Sequence, residues 1–264
     1  MKNLELNYHA GVATVTLNRP EVRNAFNDEV IAELTVAMLE LGKRPEVRCV
    51  VLAGNGPAFC AGADLNWMKR MAGYSREENL ADAHALARMM EVLYACPKPT
   101  IARVQGDVYA GGTGLVAACD IAVSVDTAHF CLSEVRLGLV PATISPYVIR
   151  AMGARAAHRY FLTAERFTAR EALRIGFVHE VVPAAELDAA VAAIAHQLVA
   201  AGPDAVKACK QLLHDVAGQE ISPGLIERTA QVIADVRVSN EGREGIQSFL
   251  QKRKPAWLTG PGGA

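Results

Sequence analysis

The sequence predicts an α/β core followed by an all-helical C-terminal region, and three observations carry that prediction. Residues 47–56, VRCVVLAGNG, are a continuous β-branched run ending in a glycine turn, the pattern of a strand buried on both faces. A strand, then glycine, then a helix start recurs over 101–120, so two such crossings frame one site between them. From Leu187 onward helical periodicity takes over in ELDAAVAAIAHQLVAAG, DAVKACKQLLHDVA and GLIERTAQVIADVRVS, and strand signals vanish.

Taken in order, LELNYHAGVATVTLN reads as two short strands turning at Ala10-Gly11, because Val12, Thr14 and Thr16 alternate with Ala13, Val15 and Leu17. In the following RPEVRNAFN, Asn24 or Asn27 is placed to cap a helix whose apolar face is Val30, Leu34, Ala37, Met38 and Leu41. Arg19 and Arg23 lie in the loop before it, where side chains are either solvated or functional. After the buried strand, PAFCAGADLNWMKRM leads into a second helix start, and Ser75 with Glu78 fits a capping box for a long helix reaching Tyr94. Along that helix Leu80, His84, Leu86, Ala87 and Met90 are helically spaced, and Pro97 and Pro99 stop it before the strand in KPTIARVQG. SPYVIRAMGARAAHRYFLTAERFTAREALRIGFVHEVVP then alternates helices with one short strand, FVHEVV. The tail carries a basic cluster, Lys252, Arg253 and Lys254, before a Gly-rich end that reads as disordered.

Composition excludes several classes of function. With 264 residues, 51% of them apolar, the chain can bury a large core. Its net charge of −1 supplies no field toward nucleic acid or a membrane surface. No apolar run approaches the roughly 18 residues of a membrane span, and the N-terminus enters strand pattern at once, leaving no room for a signal or transit peptide. The six cysteines form no C-x-x-C pair and read as reduced core thiols of a cytoplasmic protein. G-x-G-x-x-G, G-K-[ST], H-x-x-x-H and G-x-S-x-G are all missing, which removes dinucleotide, P-loop, metal and serine-hydrolase readings. His129, His158 and His179 read as packed or surface residues rather than catalytic ones.

The functional centre lies in residues 106–146. Gly111, Gly112 and Gly114 open an apolar run that closes on Asp120. Glycine there permits close backbone approach, and a helix starting just after leaves N–H groups free to face a ligand oxygen. Fourteen residues past Asp120 a lone carboxylate, Glu134, stands in the mostly apolar FCLSEVRLGLVP, where partial burial would raise its pKa into a range useful for acid or base work.

FCAGADL at 59–65 together with GDVYAGGTGLVAACDIAVSVDTAHFCLSEVRLGLVP strongly resembles the enoyl-CoA hydratase/isomerase (crotonase) superfamily. LNRPEVRNAFN, AREALRIGFVHEVVP and EGIQSFLQKRKPAW extend the likeness over nearly the whole chain. FCAGADLNWMKRM with SEVRLGLVPATISPYV looks most like the methylglutaconyl-CoA hydratases of leucine breakdown and related acyclic-terpene enzymes. The resemblance implies a spiral of ββα units over residues 1–195 holding an acyl-CoA site, and a helical region over 196–264 that makes a homotrimer or a dimer of trimers. It implies acyl-CoA as partner, with no cofactor apart from the coenzyme A of the substrate. Carried over by motif position, Ala63 and Gly111 donate backbone N–H groups to the thioester oxygen, and Glu134 is the acid/base. Arg23, Ala61, Asp64 and Leu65 fall where the family meets CoA, and Lys252 and Lys254 fall where a neighbouring subunit's CoA would be met.

One position departs from the pattern. Hydratases of the family carry a second glutamate six residues before the aspartate matching Asp120, and here that residue is Gly114. General acid–base help contributes about 10² to 10⁴ in rate, so losing one such group would cost roughly 3 to 5 kcal/mol of barrier. Three readings follow: hydration by Glu134 alone or with Asp107, Tyr109 or Ser133 holding the water; double-bond isomerisation, which needs one base; or a catalytically weak acyl-CoA- or RNA-binding protein. A glutaconyl-type substrate would also require a cation for its distal carboxylate, with Lys69, Arg70 and Arg136 as candidates. Arg136 has the alternatives of pairing with Glu134 or facing solvent.

Overall fold

The computed structural model describes residues 1–259; the Gly-rich end lies outside the described residues. β1 (Leu4–His9) and β2 (Val12–Leu17) form the expected hairpin, paired from Leu4↔Leu17 to His9↔Val12. Ala10 and Gly11 both take positive φ, the primed turn whose twist matches that of the flanking strands. Ala13, Val15 and Leu17 point into the core and are nearly inaccessible. α1 (Asp28–Lys43) starts at Asn27, whose side chain accepts the Val30 N–H, and buries all five residues of the anticipated face plus Ile31.

Two ββα units follow. β3 (Cys49–Gly54), β4 (Ala58–Cys60) and α2 (Leu65–Met71) form the first. After α3 (Arg76–Tyr94), β5 (Thr100–Val104), β6 (Asp107–Tyr109) and α4 (Gly111–Ala118) form the second. The capping box of α3 is present in both directions. Its buried face differs from the expected one: Leu80 and His84 are exposed, while Met89, Met90, Val92 and Leu93 are buried, because only the last turns of α3 reach the core.

The chain continues through β7 (Ile121–Val125), β8 (His129–Cys131), α5 (Ser145–Thr163), β9 (Phe167–Thr168), α6 (Ala169–Arg174) and β10 (Glu180–Val182). The FVHEVV strand shrinks to its last three residues, since Phe177 and Val178 bury as a turn and His179 donates its N–H to the Ala122 carbonyl. One sheet has the order β1-β2-β3-β5-β7-β10, and a second has β4-β6-β8-β9. Within the first, β3 lies between β2 and β5, parallel to both, and every one of its residues is buried, as the continuous apolar run requires.

The remainder is helical, as expected: α7 (Leu187–Ala200), α8 (Pro203–Val216), α9 (Pro223–Val238) and α10 (Asn240–Leu250). α7 lies against β3, β5 and β7 and runs through residue 195 without a break. α8 is tied to the core by Lys210, 8% exposed, whose ammonium donates to Asp120 Oδ2 at 2.7 Å. That carboxylate also accepts the Thr100 N–H and hydroxyl at 2.7 and 2.9 Å, so the buried charge is both paired and hydrogen-bonded. All six cysteines are free thiols, five of them buried.

Candidate active site

Three neighbouring parallel strands of the second sheet, β4, β6 and β8, end at the same edge. The crevice beyond the carboxyl ends of parallel strands is where such sheets bind ligands. Cys60 is the register partner of Val108, and Ala63 and Gly111 each lie three residues further on. The two donors expected from motif position are therefore equivalent points on adjacent strands. Strand spacing puts such points about 5 Å apart, the separation at which two N–H groups converge on one oxygen. β8 leads in the same direction through Leu132 and Ser133 to Glu134.

Each donor is free for a geometric reason. Phe26 and Ala63 form an isolated parallel bridge in which Phe26 N–H donates to Gly62 O (2.8 Å) and Asp64 N–H donates to Phe26 O (3.0 Å). In a parallel bridge the central partner's own N–H points to the opposite side, so that of Ala63 faces away from Phe26. Gly111 is the first residue of α4, where an N–H has no intrahelical acceptor. Among the described residues no hydrogen bond uses either group. The preceding Ala110 donates its N–H to Cys131 O at 2.8 Å and sits at φ 46°, ψ −123°, a conformation that costs a non-glycine residue about 1 to 3 kcal/mol. A conformation of that cost, immediately before a donor, persists only because surrounding contacts hold it.

Glu134 begins a 3-10 turn, Glu134–Leu137, closed by Gly138 at positive φ. Its Oε2 is buried and has no hydrogen-bond partner among the described residues. Burial pushes the carboxyl above the ordinary carboxylate range, and its own backbone N–H pulls it back only partly. The expectation from sequence is thus met in direction and in cause. Arg136 is exposed and makes no ion pair with Glu134, which leaves solvent as its setting.

At Gly114 the missing carboxylate is not a gap. A Cβ on Gly114 would stand 2.3 Å from Ile144 Cγ2 and 3.1 Å from Met90 Cε, so apolar side chains already fill the volume a glutamate would need. Asp107 does not stand in for it: its carboxylate accepts the His129 N–H (2.9 Å) and Arg166 (3.2 Å). The Tyr109 ring lies under that same Arg166, 5.8 Å from its guanidinium carbon. The Ser133 hydroxyl makes no capping bond to the turn that Glu134 opens.

The CoA-side residues fall into two groups. Arg23, Ala61, Asp64 and Leu65 share two touching loops, joined where Ala61 N–H donates to Arg23 O at 2.9 Å. Leu65 opens α2 and is 73% exposed, an apolar surface beside the donors. The Asp64 side chain is already committed: Oδ1 caps α2 through Asn66 and Trp67, and Oδ2 pairs with Arg19 at 2.9 Å. Burial alone would raise this carboxyl, but those N–H groups and the guanidinium outweigh it and hold it below its ordinary range. Lys252 and Lys254 are exposed on the C-terminal tail, and among the described residues no side-chain hydrogen bond or ion pair joins them to the loops. Of the candidate distal cations, Arg70 is engaged by Asp28 at 2.6 Å, whereas Lys69 is exposed and forms no ion pair among the described residues. No cluster of three or more metal-ligating side chains occurs among the described residues.

Sequence reasoning missed Phe26, Ile144 and the Arg19–Asp64 pair. Phe26 carries a signal, a large apolar residue between two asparagines in a loop; Ile144, thirty residues past Gly114, carries none.

A protein with two free backbone donors at matched strand ends and one desolvated carboxylate beside them is built to polarise a carbonyl and move a proton next to it. The Enoyl-CoA hydratase/isomerase family profile matches residues 7–260, and the chain belongs to that family. A solved enoyl-CoA hydratase from Shewanella pealeana is 43% identical, with a TM-score of 0.94 over 97% of this chain and 96% of its own. AtuE from Pseudomonas aeruginosa is 36% identical, with a TM-score of 0.92 over 97% of this chain and 99% of its own. Enoyl-CoA hydratase ACTT6 of Alternaria alternata is 36% identical over 262 residues, 96% of this chain and 83% of that protein.

Proposed function

We propose that the chain adds water across, or removes it from, the α,β double bond of an acyl-CoA thioester, with 3-methylglutaconyl-CoA or a similar branched glutaconyl-type thioester as substrate. The observation that carries this is the shared edge of β4, β6 and β8, which presents two unpaired N–H groups and a buried, unpartnered carboxylate oxygen. The Ala63 and Gly111 N–H groups hold the thioester oxygen. Glu134, as carboxylate, takes a proton from water while the water oxygen bonds to Cβ. The π electrons move through Cα onto the thioester oxygen, giving an enolate that the two donors stabilise, and Glu134 returns the proton to Cα. Each donor of this kind contributes about 3 to 4 kcal/mol. The apolar surroundings keep the reprotonation on one carboxyl group.

The glutaconyl preference rests on the likeness in FCAGADLNWMKRM and SEVRLGLVPATISPYV, with Lys69 and Arg136 the candidate cations that, unlike Arg70, are not engaged in an ion pair among the described residues. No separate cofactor enters this scheme, since coenzyme A arrives with the substrate. The C-terminal helices join copies into a trimer or dimer of trimers, for which exposed Ile221 (83%), Phe249 (82%) and Leu250 (72%) supply apolar surface. A cytoplasmic setting fits the unpaired thiols. Among the described residues no single helix is long and apolar enough to cross a membrane.

One observation favours a second reading. The apolar wall of Ile144 and Met90 leaves a single carboxylate, which suits shifting a double bond between β,γ and α,β positions, where one base carries one proton between two carbons. A spectrophotometric assay on 3-methylglutaconyl-CoA, crotonyl-CoA and a 3-enoyl-CoA separates the two. Hydration predicts loss of the conjugated enoyl absorbance with preference for the branched diacid, and a drop in kcat of about 10² to 10⁴ in Glu134→Gln. Absorbance gained from the 3-enoyl thioester, with no hydration of the other two, would establish the isomerase.

A further inference from the structure

We infer that Phe26 is a positioning residue for this reaction, setting the separation of the two oxyanion donors through its backbone on one side and its ring on the other; the inference rests on the acyl-thioester reading above. Phe26 is 2% exposed and touches both donor segments in different ways. Its backbone carries the two hydrogen bonds that hold Ala63 in the bridge. Its ring runs beneath Gly111: a Cβ added there would stand 2.3 Å from Phe26 Cζ and 2.9 Å from Cε1. One residue therefore links the two donor strand ends, its backbone bridged to Ala63 and its rigid ring at contact distance from Gly111, and close-packed interiors transmit such displacements rather than absorbing them.

Two further features show why a support is needed at this point. Gly111 follows Ala110 in its unfavourable conformation, so its peptide would rotate toward a relaxed orientation if unsupported. The ring also has a backing of its own. Trp67 packs on Phe26 with centroids 6.0 Å apart, and its indole N–H donates to Asp82 at 3.1 Å. Phe26 thus stands between a hydrogen-bonded wall and the glycine donor, and shrinking it removes the prop while leaving the bridge to Ala63 intact.

The test uses wild type, Phe26→Leu, Gly111→Ala and the double variant, with butyryl-CoA labelled at its carbonyl carbon as a thioester that cannot be hydrated. Two N–H donors lower the carbonyl stretch of the bound thioester, which isotope-edited infrared spectroscopy reads directly. Phe26→Leu should move that band back toward its solution position and lower kcat about 100-fold, the scale of losing one donor, with the Kd for butyryl-CoA within about threefold of wild type. Gly111→Ala keeps its N–H but drives a methyl into the ring, and should show the same signature. Combining the two should recover both the band and kcat relative to Gly111→Ala, because the smaller leucine makes room for the methyl. A band and kcat in Phe26→Leu within twofold of wild type, or a double variant no better than Gly111→Ala, would overturn the role of Phe26. Should Phe26→Leu fail to fold, Gly111→Ala decides it with the ring intact: a band and kcat within twofold of wild type would overturn the role of Phe26. A wild-type protein that does not bind butyryl-CoA, or binds it with no band shift, would instead remove the acyl-thioester reading and this inference with it.

Discussion

The two sides of the proposed active site are built on opposite principles. On the donor side, loops 61–64 and 110–112 are fixed from every direction: by the bridge to Phe26, by Arg19 and two helix N–H groups on Asp64, and by glycines packed against neighbouring backbone. On the proton-transfer side, Glu134 stands on one 3-10 turn, with an unpartnered oxygen and an exposed segment, Arg136–Val140, just beyond. A donor that must meet developing charge works only if it needs no reorganisation, so rigidity is its function. In the proposed reaction Glu134 gains and loses a proton within each turnover, and a carboxyl with that task cannot be locked into hydrogen bonds favouring one form.

If that contrast holds, crowding the donor side has the largest effect. Gly62 has φ +87°, and a Cβ on it would stand 2.9 Å from the Ala110 Cβ and 3.1 Å from Tyr109 O. Gly62→Ala therefore forces apart the two loops whose spacing defines the oxyanion site, besides straining its own backbone by about 1 kcal/mol. The expected outcome is a kcat about 100-fold or more below wild type in a protein that still folds, with a melting temperature lowered by several degrees. Steady-state kinetics beside a melting curve checks this. Unchanged kcat would mean that the donor side tolerates slack and that the contrast is false.

The proton-transfer side answers to pH rather than to crowding. Burial raises the Glu134 carboxyl in the folded chain above its unfolded value. A group shifted this way contributes stability below the unfolded pKa and loses it as pH rises through the folded one. At neutral to alkaline pH the ionised side chain is thus a liability that Glu134→Gln removes, with a gain on the order of 1 kcal/mol. Denaturation curves at pH 8 and at pH 4 should show the gain only at the higher pH. In the wild type, kcat/KM should fall toward acid with a midpoint above the ordinary carboxylate range, and an acid limb at or below that range would show Glu134 well solvated.

How much of this was legible in the sequence follows the same division. The hairpin, the capped α1, the doubly buried β3 and the helical C-terminal region were readable because each is fixed by local periodicity and caps. Glu134 and the glycine cluster stood out as local signals, a lone carboxylate in an apolar run and three glycines in four positions, whereas Ala63 and Gly111 as donors came only through the family resemblance, by motif position. What stayed hidden is whatever depends on register between distant segments. Nothing in residues 59–65 or 106–112 shows that Cys60 pairs with Val108, so the matching of the two donors had to await the sheet. Gly114 read as a lost carboxylate, and only packing reveals that Ile144 occupies its place. Asp107 and Arg70 looked available for the site until their partners across 22 and 42 residues became visible.

Arg70 supplies the finest test of the contrast, because it is the nearest thing to a cation held as tightly as the donors. It extends from α2 to Asp28 at 2.6 Å, but its side chain is 48% exposed and that of Asp28 61%. An ion pair so open to solvent contributes little to stability, and its geometry spends the guanidinium on a surface aspartate rather than on a ligand. Arg70→Ala should therefore change KM less than twofold for both crotonyl-CoA and 3-methylglutaconyl-CoA. Lys69→Ala, by comparison, should raise KM for the diacid by several-fold while sparing crotonyl-CoA, since a distal carboxylate held in the pocket would lose its counter-charge. Equal effects of Lys69→Ala on the two thioesters would detach Lys69 from substrate choice. A selective effect of Arg70→Ala would mean that substrate draws the guanidinium off Asp28, and that the rigid frame extends no further than the loops carrying the donors.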